Sequence, residues 1–221
     1  ITDSSGILLQ IVDRQSGLRD NTVNHIHRDR QGGLWLALAD GLARVEAPSP
    51  YSTFSERNGP EGNINAFIRY DGGLYAATRM GITVLEPGSG SPARFRTIPG
   101  IGSTINCLLS LPDRLLAGGH RGIYKVSSQT AALAYPVMGV TQMHASEKYP
   151  GRIYLGTYRG PAILETGGSL SQSVQPLEGI SDYILSIAEE KDGSLWIGGR
   201  AGLYHVEFPH EAGNTETGPT V

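Results

Sequence analysis

The sequence Gly33-Leu34-Trp35-Leu36-Ala37 recurs, with substitutions, four more times in this chain of 221 residues. The later copies are GLYAA, RLLAG, RIYLG and SLWIG, whose third residues are Tyr75, Leu116, Tyr154 and Trp196. Counted from position 35, successive third residues are 40, 41, 38 and 42 residues apart. The glycine that precedes the next apolar pair has the same four spacings and lies at Gly41, Gly81, Gly122, Gly160 and Gly202. Two markers in fixed phase indicate an internal repeat of about 40 residues.

Each repeat unit consists of short apolar runs separated by turn-forming residues. In the first unit, Gly, Asp and Pro separate runs that predict strands at 22–28, 34–38 and 42–46 and an outer strand near 51–55. Four short antiparallel strands in each period of about 40 residues are typical of a β-propeller blade. No 3.6-residue apolar stripe is present, so helical repeat arrays are poor alternatives. The sequence therefore predicts an all-β protein, a β-propeller of five four-stranded blades.

The two ends of the chain are predicted to complete the ring. The fifth unit ends near Phe208 without an evident outer strand, whereas the apolar segment 7–12, ILLQIV, precedes the first inner strand. We therefore expect residues 1–208 to form one propeller domain in which segment 7–12 is the outer strand of the last blade, because this pairing removes open sheet edges. The alternative is a five-blade portion of a seven- or eight-bladed ring. Residues 209–221 are polar and aperiodic and are predicted to be a linker or disordered tail.

Composition and charge argue against several classes of function. The 18 Lys and Arg residues against 21 Asp and Glu residues give a net charge of −3, so the chain has no overall basic field for nucleic acid. No apolar run approaches the roughly 18 residues of a membrane span. The chain begins at Ile1 without a basic and apolar leader, which we interpret as a mature or excised piece of a longer protein. The single cysteine, Cys107, cannot form an intrachain disulfide and is predicted to be a small packed residue.

Two of the units resemble the two-component regulator propeller repeat of bacterial sensors. The first unit carries the pattern in GLRDNTV at 17–23, GGLWL at 32–36 and GLAR at 41–44. The fifth unit carries it in GIS at 179–181, DGSLWIG at 192–198 and GLY at 202–204, whereas the middle units lack the tryptophan. The resemblance covers about residues 17–208. It implies a periplasmic or other extracytoplasmic sensing region that precedes a membrane span and a histidine kinase or nucleotide cyclase output domain.

The turns between the second and third strands are the first candidate binding site. In a propeller these turns and the loops before the inner strands emerge on one face, where they converge on a funnel. Four of the five turns carry an arginine close to the repeat glycine, and the candidate ligand-binding residues there are Arg79, His120, Arg121, Tyr158, Arg159 and Arg200. Converging guanidinium groups favour a carboxylate, sulfate or phosphate ligand. The alternative is that these arginines are solvated and pair with nearby carboxylates such as Asp20, Glu61 and Asp182.

A second row of candidates follows the first apolar position of each inner strand. The residues assigned to this row are Asn24, Asn65, Asn106, His144 and Leu185, and the first four are candidate ligand-binding residues. Amide side chains at equivalent places could order water or bind ligand hydroxyls. The alternative is that they hydrogen-bond the backbone of a neighbouring blade. Because this row adjoins the arginine turns, the two sets are treated as one site.

Other patterns give weaker indications. His25, His27 and Asp29 alternate along one strand like a fragment of a metal-ligand set, but no further histidine follows nearby, so no metal and no other cofactor is predicted. The aromatic residues at the repeat position are predicted to lie in the core between blades because their phase is that of the repeat. These residues are Trp35, Tyr75, Tyr154 and Trp196.

The chain contains no local catalytic motif. It lacks a Gly-x-Ser-x-Gly elbow, a phosphate-binding glycine loop, His-Glu-x-x-His and paired-cysteine zinc spacing. We therefore predict a non-enzymatic domain without catalytic residues. Propeller lyases and glycosidases, which assemble their sites from several blades, are the enzyme alternative, and they would require His120, His144 and Asp182 to converge.

Together these patterns predict the ligand-binding sensor domain of a bacterial two-component or related membrane-linked signalling protein. Its expected partners are a small anionic or carbohydrate ligand, bound in the funnel, and a partner domain or subunit. Neither nucleic acid nor membrane insertion by this segment is expected. Tyr158 and Tyr183 are the loop aromatics that could stack on a sugar. The alternative function is a protein–protein interaction scaffold, whose active surface would be an exposed blade rim.

Overall fold

The chain is described here by a computed structural model, which consists mainly of antiparallel strands. The structure describes residues 2, 5–6, 11–46, 54, 59–86, 93–166 and 174–208. Within these ranges the helical structure is one short 3-10 helix, Arg14–Ser16, whose first N–H groups donate to the side chain of Asp13. The residues divide into two compact units, Ile1–Pro60 with Leu85–Arg96 and Glu61–Val84 with Thr97–Val221.

The strands of the described residues form five antiparallel sheets, one for each repeat unit. Blade 1 contains β1 (Val23–Arg28), β2 (Gly33–Leu38) and β3 (Gly41–Glu46). Blade 2 contains β4 (Ile64–Tyr70), β5 (Gly73–Thr78), β6 (Gly81–Glu86) and β7 (Arg94–Ile98). Blade 3 contains β8 (Ile105–Leu111), β9 (Arg114–Gly119), β10 (Gly122–Val126) and β11 (Ala131–Tyr135). Blade 4 contains β12 (Val140–Ala145), β13 (Arg152–Thr157), β14 (Pro161–Glu165) and β15 (Val174–Pro176), and blade 5 contains β16 (Ile184–Glu189), β17 (Leu195–Gly199) and β18 (Leu203–Val206).

The all-β, five-bladed prediction is confirmed. The three strands predicted in the first unit agree with β1 to β3 within one residue at each end. Blades 1 and 5 have three strands each in the described part of the chain. Most of the predicted outer strands at 7–12 and near 51–55, and the whole predicted tail 209–221, lie outside the described residues. Closure of the ring by segment 7–12 therefore stays a prediction.

Every inner strand carries a β-bulge at its second residue. The pairing register with the second strand shifts between Val23 and His25 in blade 1, and at the equivalent place in each later blade. The extra residue of a bulge is left out of the ladder, so its side chain and backbone are re-aimed. The bulged residues are Asn24, Asn65, Asn106, Thr141 and Leu185.

The second unit contains three repeated cores, each formed by one blade and the blade that follows it. We call the side of a blade that packs on its successor the forward face. Tyr75 and Ala77 on the forward face of blade 2 cluster with Leu115 and Ala117 of blade 3. The forward faces of blades 3 and 4 pack on blades 4 and 5 in the same way. In the first unit, Leu36 and Leu38 of blade 1 pack on Leu18.

The prediction that all four repeat-position aromatics are buried core is correct for the tyrosines and wrong for the tryptophans. Tyr75 and Tyr154 are 4% and 0% exposed, whereas Trp35 and Trp196 are 37% and 39% exposed. The indole N–H of Trp35 donates to Asp29 Oδ2 at 3.1 Å, and that of Trp196 donates to Glu190 Oε1 at 2.6 Å. In both cases the acceptor is the carboxylate of the residue six positions before the tryptophan. This bond gives the indole N–H an acceptor and keeps the ring at the exposed surface of its own sheet.

Candidate functional site

In the second unit, the turns between second and third strands lie together with the loops that precede the inner strands. The backbone N–H of His120 donates to Thr104 O, that of Tyr158 donates to Gly139 O, and that of Arg200 donates to Tyr183 O, at 3.0 to 3.1 Å. We call this surface the turn face. It comprises the turns 79–80, 120–121, 158–160 and 200–202 and the loops 101–104, 136–139 and 177–183.

Further hydrogen bonds join the turns of blades 2 and 3 to the loops that precede blades 3 and 4. The Thr104 hydroxyl donates to Arg79 O at 3.3 Å, and the Gly139 N–H donates to His120 O at 2.9 Å. A continuous series of hydrogen bonds, one of them from the Thr104 side chain, therefore runs from the turn of blade 2 to the turn of blade 4. The turn face is a connected surface in which the side chains of adjacent blades have fixed neighbours.

Three of the predicted site residues meet in a stack on the turn face. The rings of Tyr158 and Tyr183 are stacked, with centroids 5.0 Å apart and planes 18° apart. The guanidinium of Arg200 lies 4.1 Å from the centroid of the Tyr183 ring. On the other side, the His120 ring centroid is 5.9 Å from that of Tyr158. The stack thus joins side chains from blades 3, 4 and 5 and from the loop between blades 4 and 5.

The stack occupies the ring surfaces that were expected to be available to a sugar. The Tyr183 ring stacks on Tyr158 and also contacts the Arg200 guanidinium. Gly139 lies so close to Tyr158 that a Cβ at this position would be 2.5 Å from Tyr158 Cδ2, and its φ of +72° also favours glycine. The interpretation of Tyr183 as a sugar platform is therefore corrected: the π-system is used within the protein.

The arginines of the turn face have no ion-pair partner among the described residues. Arg79, Arg121, Arg159 and Arg200 are all exposed, and none forms a salt bridge within the described ranges. Of the carboxylates proposed as partners, Asp20 accepts a hydrogen bond from the Thr22 N–H. Asp182 is likewise occupied, as described next.

Asp182 fixes the loop that carries Tyr183 to the last turn of the second unit. Its carboxylate accepts hydrogen bonds from the N–H groups of Tyr183 and Ala201 and from the hydroxyl of Tyr204, at 2.6, 2.8 and 3.1 Å. The Ala201 N–H is the main cause that holds the pKa of Asp182 below its ordinary value, assisted by the Tyr183 N–H. The ionised Asp182 carboxylate therefore links the backbone next to Tyr183 to the turn that follows Arg200.

The bulge residues of blades 2, 3 and 4 donate hydrogen bonds to the backbone of the next blade. The amide of Asn65 donates to Ile105 O, and that of Asn106 donates to Val140 O, both at 2.7 Å. The hydroxyl of Thr141 donates to Ile184 O at 2.6 Å. Each donor therefore binds the first inner-strand carbonyl of the next blade, as the alternative interpretation expected. Asn24 is the exposed bulge residue of blade 1, in the first unit.

The assignment of His144 to this row is corrected by the strand register. The bulge residue of blade 4 is Thr141, whereas His144 is paired with Tyr154 further along β12. His144 stacks on Tyr154, with ring centroids 6.4 Å apart, and its Nε2 lies 3.8 Å from the buried Glu189 carboxylate. This cluster lies at the opposite end of the blade, which we call the hairpin end because it carries the turns between first and second strands. His144 therefore does not join His120 and Asp182, as the enzyme alternative required.

The remaining candidates have structural contacts. Asp29 accepts hydrogen bonds from Gly33 N–H and from the side chains of Trp35 and Arg44, so its oxygens are occupied. In the part of the chain that the structure describes, no group of three or more His, Cys, Asp or Glu side chains is placed to hold a metal ion. Cys107 is buried between blades 3 and 4, and burial raises the pKa of its thiol to about 12.

Two functional features were missed by the sequence reasoning. Thr141 was hidden because the fourth unit has a short inter-blade loop, so alignment by apolar residues alone placed the row on His144. The signal that identifies it is a short polar donor directly after the first residue of the strand. Tyr183 was identified as a loop aromatic, but nothing in the sequence indicated that Arg200 would cover it.

A family model described as two component regulator propeller matches residues 17–40 and 178–201. These two segments are therefore similar to the two component regulator propeller repeat. They contain the bound tryptophans of blades 1 and 5, so the hydrogen bond from the indole to an acidic residue six positions earlier lies within both repeats. The resemblance predicted from the sequence is confirmed for these blades.

Several solved structures are similar to this chain. The extracellular domain of the putative hybrid two component system BT3049 from B. thetaiotaomicron is 20% identical over 97% of this chain and 31% of that chain, with a TM-score of 0.51. The extracellular domain of BT4673 from the same organism is 18% identical over 90% of this chain and 28% of that chain, with a TM-score of 0.55. The computationally designed Ika4 protein is 13% identical over 66% and 92% of the two chains, with a TM-score of 0.50.

These likenesses show the fold. The chain spans about a third of the length of the two extracellular domains. No curated protein matches it. Among the described residues, no helix has the length and apolar character needed to span a membrane.

Proposed function

We propose that this chain is a non-enzymatic ligand-binding sensor domain of a membrane-linked signalling protein. In this proposal the domain is extracytoplasmic, in the periplasm, and captures a small anionic or hydroxylated ligand on the turn face. The matching repeats and the similarity to extracellular domains of putative hybrid two component systems support the class of protein. The finer statement about the ligand rests on the side chains of the turn face.

The observation that carries the proposal is the group of arginines on one connected surface. Four guanidinium groups lie on turns of four successive blades and form no salt bridge among the described residues. Arginine binds carboxylate, sulfate and phosphate with paired, charge-assisted hydrogen bonds. Because the net charge of the chain is −3, this local concentration of positive charge is not a consequence of overall composition.

Signalling requires that ligand binding favours one of two states of the protein. The ligand shifts that equilibrium only by the difference between its affinities for the two states. The turn face offers a route for such a difference, because its loops connect successive blades through Thr104 and Gly139. A ligand that bridges two turns would therefore change the spacing of two blades, which a partner domain or subunit could detect.

The test is a thermal-shift screen of the purified chain against small carboxylates, phosphates, and acidic and neutral oligosaccharides. A ligand at about 100 times its Kd stabilises a protein by roughly 2.7 kcal/mol, which is on the order of 5–10 °C at this size. The shift should disappear in the double variant Arg121→Ala, Arg159→Ala. The matched control Arg114→Ala, Lys125→Ala removes two positive charges of blade 3 outside the turn face and should retain the shift. An equal loss in both double variants would contradict a site on the turn face.

A protein-interaction scaffold is the second candidate, favoured by the exposed forward face of blade 5. Trp196 and Leu203 are exposed there, and Leu185 is the only bulge residue that cannot donate a hydrogen bond from its side chain. A scaffold would lose its partner on substitution of Leu203 by Asp and would tolerate loss of the turn-face arginines. A sensor would show the reverse pattern.

A further inference from the structure

Apolar side chains are exposed beside the arginines of the turn face. Met138 is 65% exposed in the loop before blade 4. It directly precedes Gly139, whose N–H binds His120 and whose carbonyl accepts the Tyr158 N–H. Arg121 and Arg159 directly follow these two ring-bearing residues in the chain. One small region of blades 3 and 4 therefore contains an exposed thioether, the exposed parts of Tyr158 and two guanidinium groups.

The same region is poorly suited to a neutral sugar. Carbohydrate stacking needs an open aromatic face, because the C–H groups of the sugar pack flat on the ring. The Tyr183 ring contacts both the Tyr158 ring and the Arg200 guanidinium. The Tyr158 ring stacks on Tyr183, with the His120 ring nearby and the Gly139 backbone against it. What remains for a ligand is the exposed part of Tyr158, the exposed Met138 and guanidinium groups that form no salt bridge among the described residues.

We propose that the turn face at blades 3 and 4 binds organic acids, in which a carboxylate is held by Arg121 and Arg159 and an aliphatic or aromatic body lies on Met138 and Tyr158. This inference deepens the proposed function and rests on it, since it selects the anionic ligand class over the neutral hydroxylated one. Methionine suits the apolar part because its unbranched, polarisable side chain adapts to ligands of different shape. The guanidinium groups suit the acid because they match a planar carboxylate.

The chain offers a matched control for the methionine. Met80 is 63% exposed on the turn of blade 2, also next to an arginine, but outside blades 3 and 4. Substituting Met138 or Met80 by serine removes the same apolar area at equal exposure. The proposal therefore requires the two substitutions to have different effects on the binding of the same ligand.

The experiment is isothermal titration of the full chain with four probes at low salt. The probes are 3-phenylpropanoate, acetate, 3-phenylpropan-1-ol and maltotriose. We expect 3-phenylpropanoate to bind about tenfold or more tightly than acetate, because burying its apolar body contributes where acetate has none. The alcohol should bind at least tenfold more weakly than the acid, since it forms no charge-assisted bonds. Met138→Ser should weaken binding of the acid about fivefold, and Met80→Ser should leave it within twofold.

The outcomes separate this inference from the proposed function. If acetate binds as tightly as 3-phenylpropanoate and the Arg121→Ala, Arg159→Ala variant binds neither, an anion sensor remains and the apolar part of the inference is wrong. If maltotriose binds and the acids do not, the inference is overturned while a site for hydroxylated ligands remains. If the folded parent chain binds none of the probes and no compound of the thermal-shift screen, both proposals fail.

Discussion

Blades 3 and 4 use arginine differently at their two ends. At the hairpin end, Arg114 binds Asp113 and Arg152 binds Glu165, at 2.8 and 2.7 Å. On the turn face, Arg121 and Arg159 have no such partner among the described residues. A charge that is neutralised by its own protein contributes to the fold and attracts no ligand. The comparison shows that a binding surface for charged ligands depends on charged side chains that are not neutralised by other residues of the protein.

The largest expected effect is at the hairpin end, in the cluster around Glu189. Its side chain is 2% exposed and accepts hydrogen bonds from Ser146 Oγ and Glu147 N–H, both at 2.6 Å. Glu189→Ala removes the charged acceptor of both donors, of which the Ser146 hydroxyl is partly buried, and should lower the free energy of unfolding by about 2 kcal/mol. Urea denaturation measures this effect. Glu147→Ala, which removes an exposed carboxylate and keeps the backbone N–H, should change stability by less than about 0.5 kcal/mol. Equal costs for the two variants would show that the cluster is not a structural junction.

A smaller loss of stability is expected from substitution of the two arginines of blade 4, which can be compared directly. Arg152→Ala removes the ion pair with Glu165 and the contact of the guanidinium with the Tyr149 ring at 4.5 Å. It should destabilise the protein by about 1.5 kcal/mol, because Arg152 is partly buried and its stem also packs. Arg159→Ala should change the free energy of unfolding by no more than about 0.5 kcal/mol. A destabilisation by Arg159→Ala as large as that by Arg152→Ala would remove the distinction between the two ends.

The smallest expected effect concerns pH and the turn face. Hydrogen bonds hold the pKa of Asp182 below its ordinary value, so its ionised form stabilises the folded state. This contribution is fully present above the ordinary pKa of an aspartate, about 3.9, and is lost as the pH falls through the lower value of the folded state. Melting temperatures between pH 2.5 and 6 should therefore fall less steeply towards acid in Asp182→Asn than in the parent chain.

The matched control for this prediction is Tyr204→Phe, which removes one donor to Asp182 and keeps the carboxylate. It should reproduce a part of the change in slope. Parallel curves for the parent chain and Asp182→Asn would mean that the hydrogen bonds to Asp182 do not stabilise the ionised form.

The repeat could be predicted in detail from the sequence because its markers are local. Gly33 begins β2 and Gly41 begins β3, and a glycine equivalent to Gly41 recurs with the repeat spacing in every unit. The turn-face arginines were predicted for the same reason, since they are placed by their distance from the repeat glycine. That they form no salt bridge with another described residue was not predictable, because this depends on the hydrogen bonds that Asp182 and the other carboxylates make.

Features that depend on neighbouring blades were harder to predict. The tryptophans have the same repeat phase as Tyr75 and Tyr154, yet they are exposed, because phase specifies a side of the sheet and not what covers it. No particular residue type marks a β-bulge in the sequence, so the polar position of blade 4 was assigned to His144 and not to Thr141. The stack around Tyr183 required the relative position of two loops and a turn, which periodicity does not contain.

The bulge hydrogen bonds give the array of blades a direction. Asn65, Asn106 and Thr141 each donate forward, to the first inner-strand carbonyl of the blade that comes next in the chain. A duplicated repeat of this kind carries its own donor at one side and its own acceptor at the other. Duplication of a repeat therefore lengthens such an array with the same hydrogen bond between the added blade and its neighbours. The donor at each blade interface can be an amide or a hydroxyl.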